Sequence, residues 1–164
     1  RMHVGAGVVL RYQDCGRVTV EVRSLKPVFL RAPFMDFVKG TPYGSTVHRL
    51  TAEDGPVTIS DLRWAYAEMS EQTQNANDAV VAQARAVAGL PVLHPIMPQA
   101  SHDIVAGSGV DEMKRVFCSV GLSFVKGFGA GYNRQTIKEC PVWIEMQLHR
   151  PLQLLDVLLK KNFV

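Results

Sequence analysis

The residues best suited to chemistry lie between Lys126 and Arg134, in the run Lys-Gly-Phe-Gly-Ala-Gly-Tyr-Asn-Arg. Three glycines stand between two cations. Glycine lets backbone approach a ligand closely and take up positive φ, and Lys and Arg bind phosphate through charge-assisted hydrogen bonds. By residue type alone, two cations flanking a turn read more readily as ordinary solvated charges. Catalytic chemistry has no comparable signature. No G-x-S-x-G, P-loop, H-E-x-x-H or paired-carboxylate motif occurs, and no enzyme activity is expected. His3, His48, His94, His102 and His149 lack a Cys or carboxylate at metal-like spacing and are expected as surface or capped side chains. Cys15, Cys118 and Cys140 form no C-x-x-C pair, which argues against a zinc site or a disulfide framework. Neither a metal nor a cofactor is expected.

The elements around this loop position it. Val142, Ile144, Met146 and Leu148 alternate with Trp143, Glu145 and Gln147, the period of a strand with one buried face. Trp143, on the other side, is a candidate interface anchor but is expected to pack on a second surface. Pro151 suits the first turn of a helix whose apolar stripe is Leu152, Leu155 and Leu159. At the front, Val8–Gln13 and Arg17–Arg23 flank a short Gly-containing turn and read as a hairpin, with Val18, Val20 and Val22 on one face. Pro27–Arg31 and Val47–Leu50 read as extended, and Gly121–Val125 as a strand leading into the loop. Pro33–Tyr43 reads mostly as loop, broken by Gly40, Pro42 and Gly44.

From Asp61 to Ala88 apolar residues step by three or four, with Thr58 and Ser60 as candidate N-caps and Gly89 and Pro91 as stops. The Ala- and Gln-rich second half of this helix has a thin apolar face. It is expected to project from the core or to pack on a partner helix. Leu90–Gly109 has several Pro and Gly and no regular period, the pattern of a mobile or functional connection. Val110–Cys118 reads as a short helix with Asp111 and Glu112 in its first turn.

The 164 residues suffice for one domain with a real core, and a hydrophobic content of 47% is ordinary for a globular chain. A net charge of +3 is too mild to argue for nucleic acid. No apolar run approaches the roughly 18 residues of a membrane span. Reduced cysteines suit the cytosol or nucleus. The chain opens at Arg1, inside what reads as structured sequence, and is read as a fragment.

Ser123-Phe-Val-Lys-Gly127, Arg134-Gln135, Trp143-Ile-Glu145 and Pro151-Leu-Gln153 together resemble the C-terminal, Mad homology 2, domain of Smad signalling proteins. Ile137-Lys-Glu139, Leu148-His-Arg150, Leu154-Leu-Asp156, Val47-His48 and the long Ala/Gln-rich helix look most like the common-partner branch. The resemblance covers nearly the whole chain. It implies a mainly β fold, a Smad/FHA-like β-sandwich, capped by a three-helix bundle made of Asp61–Ala88, Val110–Cys118 and Pro151–Lys160. It also implies that residues 1–164 are a single such domain, truncated at its N-terminal side.

The resemblance further implies a role for the loop. In Smads it helps to grip the phosphorylated Ser-x-Ser tail of a neighbouring subunit. The matching residues here are Lys126 and Arg134, with Arg49 where the common-partner branch has a lysine. Phe37 stands where that branch carries a further arginine, Phe128 replaces a tryptophan, and Gly131 replaces an acidic residue. Asp156 matches an aspartate that pairs with an arginine of the adjacent subunit, and Tyr132 is a candidate interface anchor. The implied function is that of a transcriptional regulator in TGF-β/BMP-type pathways, present in cytoplasm and nucleus. Its implied partners are phosphorylated receptor-regulated Smads, in a homo- or hetero-trimer, and transcriptional coregulators, with no direct DNA or membrane contact by this domain. The alternative is a scaffold that recruits coregulators without reading phosphate.

Overall fold

A computed structural model describes residues 3–91 and 109–162. The valine alternation at the front produces the expected hairpin. Strand β1 (Val8–Tyr12) pairs antiparallel with β2 (Arg17–Val22), placing Val8 opposite Val22 and Tyr12 opposite Val18. The turn between them needs Gly16, which sits at φ +84° and whose added Cβ would lie 2.6 Å from the Leu62 side chain. On its other side β2 pairs with β5 (Val57–Asp61), so the first sheet runs β1-β2-β5. The second sheet runs β4-β3-β6-β7, from β3 (Val28–Arg31), β4 (His48–Leu50), β6 (Ser119–Phe124) and β7 (Trp143–Gln147), all antiparallel. Val20, Val22 and Ile59 of the first sheet meet Val28, Leu30, Leu50, Val120, Leu122 and Phe124 of the second in one apolar core. This is the sandwich expected, with inward residues of both sheets interdigitating.

The helices make a second core. Trp64, Ala65 and Met69 of α2 (Leu62–Val87) pack with Met113, Val116 and Phe117 of α3 (Gly109–Phe117) and with Leu155 and Leu158 of α4 (His149–Asn162). The three-helix bundle that the resemblance implied therefore forms, each helix turning an apolar stripe inward. On α4 the buried pair is Leu155 and Leu158, whereas Leu152 and Leu159 are only partly buried. Past Thr73 the rest of α2 is largely exposed, Val80, Val81 and Val87 included, as its thin apolar face predicts. It stops at Gly89, with the amides of Gly89 and Leu90 bonding back to the carbonyls of Ala86 and Arg85, a pairing that glycine at positive φ allows. The connection read at Leu90–Gly109 lies, from residue 92 to residue 108, outside the described residues.

Four readings of the sequence need correction. Pro33–Lys39 is a helix, α1, with Pro33 in its first turn and Gly40 left-handed at its C-terminus. Pro at the start and Gly past the end is the signature of a short helix as much as of a loop. Thr58 and Ser60 lie within β5 and are not caps; the Asp61 carboxylate caps α2 by accepting from the Arg63 amide at 2.9 Å. Trp143 is 36% exposed rather than packed on a second surface. Val142, Met146 and Leu148 do pack on the sandwich core, but Ile144 is 38% exposed. The reason is shared: β7 is an edge strand of a four-stranded sheet that faces a three-stranded one, which leaves β7 under-covered.

Leu155 is fully buried between the helices, and Gln153 is exposed on the same helix. Leu155→Ala is expected to lower stability by roughly 2–5 kcal/mol in chemical denaturation, and Gln153→Ala by about 0.5 kcal/mol at most. Equal losses would contradict this orientation of α4.

Candidate functional site

Strand β6 delivers the chain to the basic loop through a strained turn. Val125 has φ +69°, and the Lys126 amide donates to the Phe124 carbonyl at 2.8 Å, closing a three-residue turn. A β-branched residue at positive φ is rare, so its surroundings must hold it. The Val125 amide donates to the Pro27 carbonyl at 3.0 Å, and the Ser123 hydroxyl donates to the Lys126 carbonyl at 2.7 Å. Backbone strain of this kind concentrates at functional sites.

The loop then folds onto itself. The Gly129 amide donates to the Arg134 carbonyl at 2.7 Å, and the Tyr132 amide to the Gly129 carbonyl at 3.1 Å. The Tyr132 ring lies over Gly127, where an added Cβ would fall 2.3 Å from the ring. The same ring meets Phe29 edge-on, with centroids 5.4 Å apart, a favourable aromatic geometry. Beneath, Phe29, Phe128, Ile137 and Cys140 form a small third core with Val47 against it. A 3-10 turn at Ile137–Glu139 closes the loop, its Thr136 and Glu139 capping each other. Phe128 is thus a buried floor residue.

The predicted cations border this floor. Strand register sets Arg49 opposite Phe29, and Phe29 opposite Ser123, in one row across β4, β3 and β6. Lys126 opens the loop and Arg134 closes it. Arg49 and Lys126 are exposed and Arg134 is half-buried. None of the three has an ion-pair partner among the described residues. Tyr132, 39% exposed, is both a loop strut and part of the surface. Asp156 is not brought to this site. It is exposed on α4, in the bundle. Burial pushes the nearby Cys118 thiol up to about 11, the Lys114 charge opposing this and the Asp156 charge adding a smaller rise.

Two features were not legible in the sequence. His48, expected at the surface or capped, is 2% exposed, and its Nε2 lies 2.7 Å from Oδ1 of Asp36, which is fully buried. The two residues stand twelve positions apart, too far for a local motif to reveal the pair. Phe37 is not simply a missing cation. Its ring packs 6.3 Å from Phe34 and 6.1 Å from Trp64, and Tyr43 and Phe117 complete the cluster around that indole. The Tyr43 hydroxyl accepts from the Trp64 indole at 3.1 Å and donates to Glu68 at 2.9 Å, and burial raises its pKa strongly. Among the described residues, no group of three His, Cys, Asp or Glu is placed to hold a metal ion, and no helix is long and apolar enough to cross a membrane.

A sandwich capped by a helical bundle, with a glycine-rich basic loop set on an aromatic floor, is the architecture to be set beside known families. Residues 1–149 match the model of the MH2 domain. The chain is similar to "Dwarfin sma-4" of Caenorhabditis elegans, 44% identical over 99% of this chain and 27% of that protein. It is also similar to "Mothers against decapentaplegic homolog 4" of Homo sapiens, and equally to that of Rattus norvegicus, 41% identical over 97% of this chain and 29% of each relative. The chain belongs to the MH2-domain family. It spans little more than a quarter of the length of the curated relatives it matches.

The contact between Gly127 and Tyr132 makes a coupled prediction. Gly127→Ala should displace the Tyr132 ring and destabilise the domain by roughly 1–3 kcal/mol. In a Tyr132→Ala background the same substitution should cost markedly less, because the clashing ring is gone. Additive losses in denaturation would show that the ring does not constrain this glycine.

Proposed function

We propose that this domain is a phosphate-reading assembly module of a common-partner Smad in TGF-β/BMP-type signalling. Its ligand is the phosphorylated Ser-x-Ser tail of a receptor-regulated Smad, held by Arg49, Lys126 and Arg134. It joins its partners in a mixed trimer, recruits transcriptional coregulators and works in the cytoplasm and nucleus, with no direct DNA or membrane contact and no catalysis. The observation that carries this reading is the set of three cations, without ion-pair partners among the described residues, bordering one braced loop. A phosphoserine brings about −1.5 to −2 charges and three acceptor oxygens. Cations that already stand free of ion pairs need break none to receive it. A bidentate guanidinium is better matched to phosphate than an ammonium, which favours Arg49 and Arg134 as the orienting pair and Lys126 as the point charge.

A second reading rests on Phe37. A ring packed on Phe34 and Trp64 supplies no charge to the pocket. A pocket short of one cation favours a scaffold that binds its partners without reading phosphate.

Calorimetry with a partner tail, phosphorylated and unphosphorylated, separates the two. The phosphorylated form should bind more tightly, and Arg134→Ala or Lys126→Ala should remove roughly 1.5–3 kcal/mol of that binding, a loss of about tenfold to a hundredfold. Equal affinity for both forms would select the scaffold. At the other predicted contact, Asp156→His should cost roughly 2–5 kcal/mol of assembly, the cost of leaving an interfacial charge unpaired. Because Asp156 is exposed, the denaturation midpoint of the separate domain should not move. Sedimentation showing wild-type assembly by the variant would remove Asp156 from the interface.

A further inference from the structure

The Asp36–His48 pair ends on a third group that the proposed phosphate site does not use. Lys39, in the last turn of α1, sets Nζ 3.0 Å from Nδ1 of His48. The Nε2 of the same imidazole lies 2.7 Å from Oδ1 of Asp36, whose Oδ2 accepts the Gly44 amide at 2.9 Å. An ionised carboxylate only accepts, so Nε2 carries the imidazole proton and the Nδ1 lone pair faces Lys39. The order is nucleophile, base and orienting carboxylate, each within hydrogen-bond reach of the next, the arrangement that activates a side-chain nucleophile. Asp36 and His48 are both buried, so the base is fixed in place, whereas Lys39 is exposed.

Lys39 also lines a cavity of about 450 Å³ between α1 and the β2–β5 edge. That volume is within the range of small-molecule sites. Phe34, Met35, Val38 and Val57 make its wall apolar. Arg17, the other charged residue of the lining, is engaged with Asp61 at 3.4 Å. An amine with a positioned base beside an apolar cavity fits a reactive carbonyl that carries a hydrocarbon chain.

We propose that Lys39 is an acyl-acceptor lysine, with His48 as its base and the adjoining cavity as the seat of a medium-length acyl chain delivered as a thioester. The Lys39 ammonium passes one proton to Nδ1 of His48, and the imidazolium is held by the Asp36 carboxylate. The freed nitrogen lone pair attacks the thioester carbonyl carbon and forms the N–C bond. The tetrahedral adduct collapses with cleavage of the C–S bond. The thiolate takes the remaining surplus proton from nitrogen and leaves as a thiol, and His48 releases its proton to water. The product is a neutral amide, so the modification erases one positive charge and fills the cavity. Asp36 is a positioning residue in this step.

The test incubates the full chain with the octanoyl thioester of N-acetylcysteamine, and separately with the acetyl thioester, and follows each lysine by peptide mass spectrometry. Lys39 is expected to gain the octanoyl group at least about tenfold faster than Lys26, Lys114, Lys126 or Lys138, below the usual scale of general-base assistance, and faster than it gains acetyl. His48→Gln can still donate to Asp36 and accept from Lys39 but is no base, and should bring Lys39 down to the rate of the other lysines while circular dichroism stays native. A wild-type Lys39 no faster than the other lysines overturns the proposal, as does a folded His48→Gln variant that retains the wild-type rate. If that variant does not fold, the wild-type chain-length comparison decides, and equal octanoyl and acetyl rates at Lys39 overturn the proposal.

Discussion

The Asp36 carboxylate is the tie on which this end of the domain depends. A buried carboxylate is costly unless it is paired and hydrogen-bonded. Asp36 meets that condition by accepting from His48 with one oxygen and from the Gly44 amide with the other. Those two bonds pin α1 to β4 and fold the 40–44 connection back on itself. The Asp36 carbonyl adds to this by accepting the Thr41 amide at 3.0 Å beyond the end of α1. With His48 drawn inward, the alternation of a strand turns Arg49 outward, into the row with Phe29 and Ser123. A core contact thus sets where a surface cation stands.

The basic loop obeys a similar logic with weaker individual forces. Its backbone is closed by Gly129 to Arg134, its start is held by a turn at Val125, and its roof is the Tyr132 ring on Phe29. Each interaction is modest alone. Together they leave little conformational entropy to lose when an anion arrives, so more of any electrostatic attraction appears as affinity. The glycines have structural work in this loop. Gly127 clears space for the tyrosine and Gly129 takes up φ +80°.

Much of the fold was legible because hydrophobic period maps directly onto secondary structure. The valines of β2 and the three- and four-step spacing of α2 and α3 placed those elements to within a residue or two. The readings that failed depended on neighbours distant in sequence. Pro33 and Gly40 are compatible with both loop and helix, and Met35 and Asp36, buried against the rest of the chain, favour the helix. Thr58 and Ser60 have capping side chains, but pairing with β2 keeps both residues in a strand. Trp143 has the burial preference of a core residue and still lies exposed, because its strand is at the edge of its sheet. At the site, Lys126 and Arg134 were compatible with phosphate by residue type, and the family resemblance, which added Arg49, was what pointed to it. The aromatic floor joining them could not be read, since Phe29 and Tyr132 are about a hundred positions apart.

The sequence by itself determined every strand but β5, the three longer helices and the cationic character of the loop, while its motifs carried the resemblance to the family. These follow from local chemistry: side-chain period, turn residues and the types of charged group. Only the tertiary structure decided that His48 is a buried partner of Asp36 and Lys39, and that Phe37 belongs to an aromatic cluster around Trp64. Pairing and burial are set by which strands and helices become neighbours. That choice is made by the free energy of the whole packed core, and no short stretch of sequence carries it.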